Sequence, residues 1–237
     1  MEEEGDKVRM VLATCTRGGN DIHHELFNHF MCERDAMLKG GWDVNVIFGI
    51  SNTAAFLAQE ALFKAVYDDE ADFMYHVDSD VVPINGTLQK LLDCKKDLVI
   101  APIWHCDKKG MHLNVHRNDG VRLFIPKDSG VEKIVSASFG VMLVSRKVLG
   151  AFRNAQESPV KHSTMLEPIL EGAESDNIFF WKLKLLGLKA YVCWDAKGAT
   201  HFKRVALNDR LIETITKNIA VSGPEHIVKL LRAKGRG

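Results

Sequence analysis

The sequence predicts an α/β fold: a mixed, mostly parallel sheet flanked by helices, in a single domain. Three observations carry that prediction. The first half of the chain alternates strand-like and helix-like apolar patterns: strand, helix, strand, helix, strand. That order calls for right-handed crossovers and parallel pairing. The third strand, within residues 71–83 (ADFMYHVDSDVVP), is apolar at successive positions, as a strand buried on both faces must be. Finally, 237 residues at 46% hydrophobic content suffice for one sizeable core.

The first strand is residues 8–14 (VRMVLAT). CTRGG follows at 15–19 as a loop. Its two glycines let the backbone approach a ligand, and Arg17 could reach a phosphate or base, or make a surface ion pair. The loop is not a G-x-G-x-x-G fingerprint. Residues 21–39 read as a helix, with Ile22, Leu26, Phe30 and Met37 near one stripe and Gly40-Gly41 at its end. Residues 43–48 alternate as a second strand. Asn52 is placed to cap a second helix, marked by Ala54, Ala58, Ala61, Leu62, Ala65 and Val66.

The third strand ends in Asp78 and Asp80, one residue apart. In open α/β sheets the carboxyl edge is where ligands bind. Paired carboxylates there need a positive partner, and a hard divalent cation with phosphate oxygens is one. The alternative is a solvated turn.

Residues 87–94 read as a short helix and 97–104 as a fourth strand. The stretch 105–120 holds His105, Cys106, His112 and His116. Zinc is conceivable, but the spacing fits no common structural-zinc pattern, so a polar loop at the site's rim is the better reading. Residues 121–125 and 133–145 are strand-like. Small residues in 136–140 (SASFG) either let a ligand lie against backbone or mark tight packing. Residues 154–174, with Pro159 and Pro168, are the candidate mobile lid. A helix then starts at Ser175 or Asp176 and ends at Gly187. An acid at its start is stabilised by the helix dipole, and capping alone would account for Asp176. Residues 190–194 form a last strand, and 195–201 lead to His201. Residues 202–237 read as two helices with a basic end.

Composition limits the function classes. With 31 basic and 31 acidic residues, net charge is zero, which argues against bulk electrostatic binding of nucleic acid. The five cysteines are odd in number and lack C-x-x-C spacing, so reduced thiols in a cytoplasm-like compartment are expected. The acidic start, MEEEGDK, is not a signal peptide. No apolar run approaches the roughly 20 residues that span a bilayer.

Taken in order, these pieces resemble a GT-A-fold (Rossmann-like) glycosyltransferase, most similar to the family 2 type. The resemblance rests on the opening strand and polar loop, Asp78-Ser79-Asp80, the small-residue strand Ser138-Phe139-Gly140-Val141-Met142, the acidic helix start Glu174-Ser175-Asp176 and the late His201. The family commonly shows Gly-(small)-Gly and Glu-Asp where this chain has Ser138-Phe139-Gly140 and Ser175-Asp176.

The resemblance implies a catalytic domain over 1–203, with a nucleotide-sugar half near 8–104, an acceptor half near 105–203, and a helical extension over 204–237. It implies a UDP-sugar or GDP-sugar donor and a divalent cation, manganese or magnesium. Asp80 would hold the metal, Asp78 the metal or the ribose with Ser79 beside it, and His201 would complete the metal shell. Thr14, Arg17 and Asn52 could line the base pocket. Asp176, or second Glu174, would be the base of an inverting hexosyl transfer. The acceptor would be a hydroxyl on a glycan, metabolite, protein or modified nucleic-acid base. Alternatives are a sugar nucleotidyltransferase, for which CTRGG is short, and a non-catalytic nucleotide- or glycan-binding protein.

Overall fold

Successive side chains of a strand point to opposite faces, so a strand apolar at every position needs cover on both sides. The computed structural model of the chain, which describes residues 7–17, 22, 24–51, 55–107, 110–116, 127–156 and 175–201, meets that requirement with three layers. The elements run β1 (Arg9–Arg17), α1 (His24–Lys39), β2 (Asp43–Ser51), α2 (Ala55–Asp68), β3 (Phe73–Val77), β4 (Val81–Val82), α3 (Thr87–Asp93) and β5 (Leu98–Ile100). There follow β6 (Trp104–Asp107), β7 (Gly110–Leu113), β8 (Val115–His116), β9 (Val131–Ile134), β10 (Ser136–Ala137), β11 (Val141–Ser145) and α4 (Arg146–Gln156). Last come α5 (Ser175–Leu185), β12 (Ala190–Cys193), a 3-10 turn (Trp194–Ala196) and β13 (Thr200–His201).

The main sheet has the order β2-β1-β3-β11-β5-β12-β9. Five of these strands run one way; β11 and β9 oppose them. The sheet is thus mixed and mostly parallel, and helices cover both faces. On one face Val11, Ala13, Met74, Met142 and Val144 pack under Leu62, Phe63 and Val66 of α2, Val148 and Phe152 of α4, and Phe179 and Leu183 of α5. On the other, Met10, Leu12, Tyr75, Val77 and Leu143 meet Leu26, Phe30 and Met37 of α1 and Leu88 and Leu91 of α3. Residues alternate strictly between the two cores, which is the period-2 signature of a sheet sandwiched between helices. No described helix is long and apolar enough to cross a membrane.

Three expectations are corrected. The strand expected over 97–104 stops at Ile100, and a new strand begins at Trp104. Pro102 has no N–H to give a ladder, and the Ile103 N–H is taken by Asn114 Oδ1 at 2.8 Å. The strand expected over 133–145 is three strands with different partners: β9 pairs with β12 at the edge, β10 with β8, and β11 inserts between β3 and β5. One strand cannot serve the edge and the centre of a sheet at once. The lid expected over 154–174 begins inside α4, a helix that the sequence reading left unassigned; residues 157–174 lie outside the described residues. So do Asn52, residues 121–125 and the extension 204–237.

Candidate functional site

The strand order places the site. From β1 the chain goes through α1 to β2 on one side, then through α2 to β3 on the other. The carboxyl ends of β1 and β3 therefore flank the point where the order reverses, the usual ligand crevice of an α/β sheet. Asp78, Ser79 and Asp80 occupy the turn that leaves β3 there, all half-buried.

That turn is fixed from two directions. The Asp78 N–H donates to the Gly140 carbonyl at 2.7 Å, and the Val81 N–H donates to the Asp78 carbonyl at 3.0 Å. Gly140 holds φ at +23°, and a Cβ there would lie 2.1 Å from Ile103 Cδ1. At Gly140 the small residue thus serves tight packing. Asn114, which the sequence reading passed over, fastens the same corner. It is buried; its side chain accepts from Ile103 N–H, and its backbone carbonyl accepts from Ser138 N–H at 2.9 Å.

Beyond the aspartates, β4 pairs antiparallel with β13, matching Val81 with His201 and Val82 with Thr200. A histidine from the end of the described chain is brought beside Asp80 in backbone register. The His201 side chain lies outside what the structure describes. Among the described residues, no three His, Cys, Asp or Glu side chains gather as a metal group. The donor set nonetheless suits a hard divalent cation: two carboxylates on one turn, with an imidazole-bearing residue paired alongside.

The other predicted residues are placed as follows. Thr14 lies in β1, fully buried, its Oγ1 without a hydrogen-bond partner among the described residues. Arg17 ends β1, opposite Ser51. Asp176 is the second residue of α5 and is half-buried; Glu174 lies outside the described residues. Packing joins α5 to the aspartate strand. Phe179 and Phe180 contact Phe139 with ring centroids 5.2 and 6.5 Å apart, and Phe139 lies 6.2 Å from the His76 ring. His105 and His112 are backbone register partners of β6 and β7, and His116 Nδ1 is 2.8 Å from Ser136 Oγ.

His76 was missed. It is 1% exposed, and neither ring nitrogen has a hydrogen-bond partner among the described residues. Burial pushes its pKa down to about 4, so it is neutral at pH 7. Its Nε2 stands 3.9 Å from Asp78 Oδ1. A neutral imidazole always carries one N–H, and leaving it unpaired costs on the order of 1–3 kcal/mol. The signal was a single polar residue in the apolar run FMYHV.

A second missed group braces the segment between the aspartates and α3. Glu33 Oε1 on α1 accepts the Gly86 N–H at 2.7 Å. Burial raises the Glu33 pKa, and the backbone N–H groups of Gly86, Leu88 and Thr87 oppose that rise. Gly86 has φ +81°, a conformation natural to glycine, and so presents its N–H to the acid. His29 Nε2 lies 3.0 Å from the Tyr75 hydroxyl and Nδ1 3.4 Å from Asn85 Oδ1. Burial lowers the His29 pKa to about 4, so its 3.9 Å approach to Glu33 is not an ion pair at neutral pH.

No protein-family model matches the chain, and no curated protein matches it. Solved structures do. One is A197 from STIV, with 16% identity over 85% of this chain and 98% of that one and a TM-score of 0.48. Another is the catalytic domain of Drosophila beta1,4galactosyltransferase 7 in complex with xylobiose, with 12% identity over 87% and 79% of the two chains and a TM-score of 0.49. A third is S. aureus TarS 1-349 in complex with UDP-GlcNAc, with 14% identity over 84% and 59% and a TM-score of 0.48. Likeness at this level assigns no activity.

Proposed function

We propose that the chain is a metal-dependent glycosyltransferase that moves a sugar from a nucleoside-diphosphate donor to a hydroxyl acceptor with inversion. The pairing of His201 with Val81 supports this reading most. It brings the late histidine to the turn carrying Asp78 and Asp80, at the crevice where a nucleotide is expected. A solvated surface turn has no need of that convergence.

In this reading Asp80, Asp78 and His201 would hold a manganese or magnesium ion, which when bound neutralises charge growing on the leaving diphosphate. Asp78 and Ser79 hold the donor's ribose, and Thr14, Arg17 and Asn52 border the base. Asp176, with Glu174 as the second candidate, takes the proton of the acceptor hydroxyl while attack proceeds in line. That path inverts the anomeric carbon. Cys15, Cys32, Cys94 and Cys193 are free thiols, which suits a reducing, cytoplasm-like compartment.

A thermal-shift panel tests the proposal. UDP, GDP, CDP, ADP and their triphosphates are each added with manganese, magnesium or EDTA. One diphosphate stabilising only with metal supports the donor site and names the base. A shift confined to triphosphates points to a sugar nucleotidyltransferase, and stabilisation indifferent to EDTA points to a non-catalytic binding protein. No shift with any diphosphate overturns the glycosyltransferase reading.

A further inference from the structure

Cys94 and Cys193 are distant in sequence and adjacent in space. Cys94 caps the end of α3, on the segment that follows Asp80, and is half-buried. Cys193 closes β12, just before the segment that leads to His201, and is 1% exposed. Both thiols donate to one acceptor, the Lys90 carbonyl, at 3.2 and 3.7 Å. Cys193 is also among the neighbours that raise the Cys94 thiol. Neither is in a disulfide. The shared acceptor gathers the two sulfurs at one carbonyl, unlike Cys32, which is exposed on α1.

We infer that Cys94 and Cys193 form a dithiol that closes to a disulfide when a hydroperoxide reaches Cys94. Exposure sets the order of events. The Cys94 sulfur attacks the peroxide, the O–O bond breaks, a sulfenic acid forms and an alcohol, or water, leaves. The Cys193 sulfur then attacks the sulfenic sulfur. The S–S bond forms, the S–O bond breaks and water departs. The peroxide takes two electrons, and the two thiol hydrogens end on oxygen. The new bond ties the segment after the aspartates to the segment before His201, and the inference stands whether or not the glycosyltransferase reading does.

Resting chemistry fits a switch that is closed only on demand. Burial, the neighbouring Cys193 and the carboxylates of Asp195 and Asp93 push the Cys94 thiol up to about 12. Cys94 therefore rests as the thiol at neutral pH; because the thiolate is the nucleophile, its oxidation is slow there and accelerates as pH rises.

The test is peptide mapping of the full chain after hydrogen peroxide treatment at pH 7 and pH 8.5, with alkylation and no reductant. Trypsin releases Cys94 in residues 91–95 and Cys193 in residues 190–197, each with a single cysteine. The expected result is a linked pair of these peptides, formed faster at pH 8.5. In Cys193→Ser, dimedone should label Cys94, because nothing resolves the sulfenic acid. In Cys94→Ser, Cys193 should resist alkylation until the chain unfolds. Absence of the linked peptides in wild type, in a sample where exposed Cys32 is oxidised, overturns the inference and needs no variant to fold.

Discussion

The backbone N–H of Asp78 is bonded to the carbonyl of Gly140 at 2.7 Å, so the first aspartate of the turn hangs on a residue where no side chain fits. Gly140→Ala forces a Cβ into Ile103 Cδ1 and a side chain onto a φ of +23°. The expected loss is about 2–4 kcal/mol, read by urea unfolding. Adding Ile103→Val removes the clashing atom but not the backbone strain. The double variant should be less destabilised than the sum of the singles by about 1 kcal/mol; strict additivity would show that the clash does not matter.

Acid should weaken the brace on α1. The folded pKa of His29, about 4, lies below the ordinary 6.5. Its stability contribution is present above 6.5 and is lost as pH falls through 4, amounting to about 3 kcal/mol. Glu33, whose pKa is raised, acts with the opposite sign and loses its contribution as pH rises. Tyr75 stays neutral throughout that range. Comparing wild type with His29→Gln isolates the histidine: the fall in Tm between pH 7 and pH 4 should be smaller in the variant. Equal falls would remove His29 from the account.

Asp80→Asn should abolish metal-dependent stabilisation by nucleoside diphosphate while changing unliganded stability by about 1 kcal/mol or less. His201→Ala should weaken metal binding, read as a higher midpoint in a manganese titration. A variant at Asp80 that keeps the full metal-dependent shift would return the turn to a solvated one.

Asp176→Asn should cut turnover by about 10²–10⁴-fold and leave donor binding unchanged. The check is a turnover assay beside a diphosphate titration. Lost donor affinity at unchanged turnover would mean that Asp176 holds the donor and that the base is elsewhere.

Much of this was legible in the chain itself, and the reason is locality. A strand buried on both faces and a helix buried on one write their periods into a few consecutive residues. Hence β1, α1, β2, α2 and β3 were readable, as was the placing of Asp78 and Asp80 at a strand's carboxyl end. Strands split by their partners were not, because nothing in 133–145 says that its start pairs at the edge and its end at the centre.

By its own patterns, the sequence determined an alternating α/β chain with two carboxylates leaving its third strand. Only the tertiary structure decided what stands around them. Long-range pairing set His201 against Val81, hung Asp78 on Gly140, left the His76 ring nitrogens without a hydrogen-bond partner among the described residues and brought Cys94 and Cys193 to one carbonyl. Each of these joins residues far apart in the chain. A local period reports which face is buried; it carries no record of which distant residue buries it.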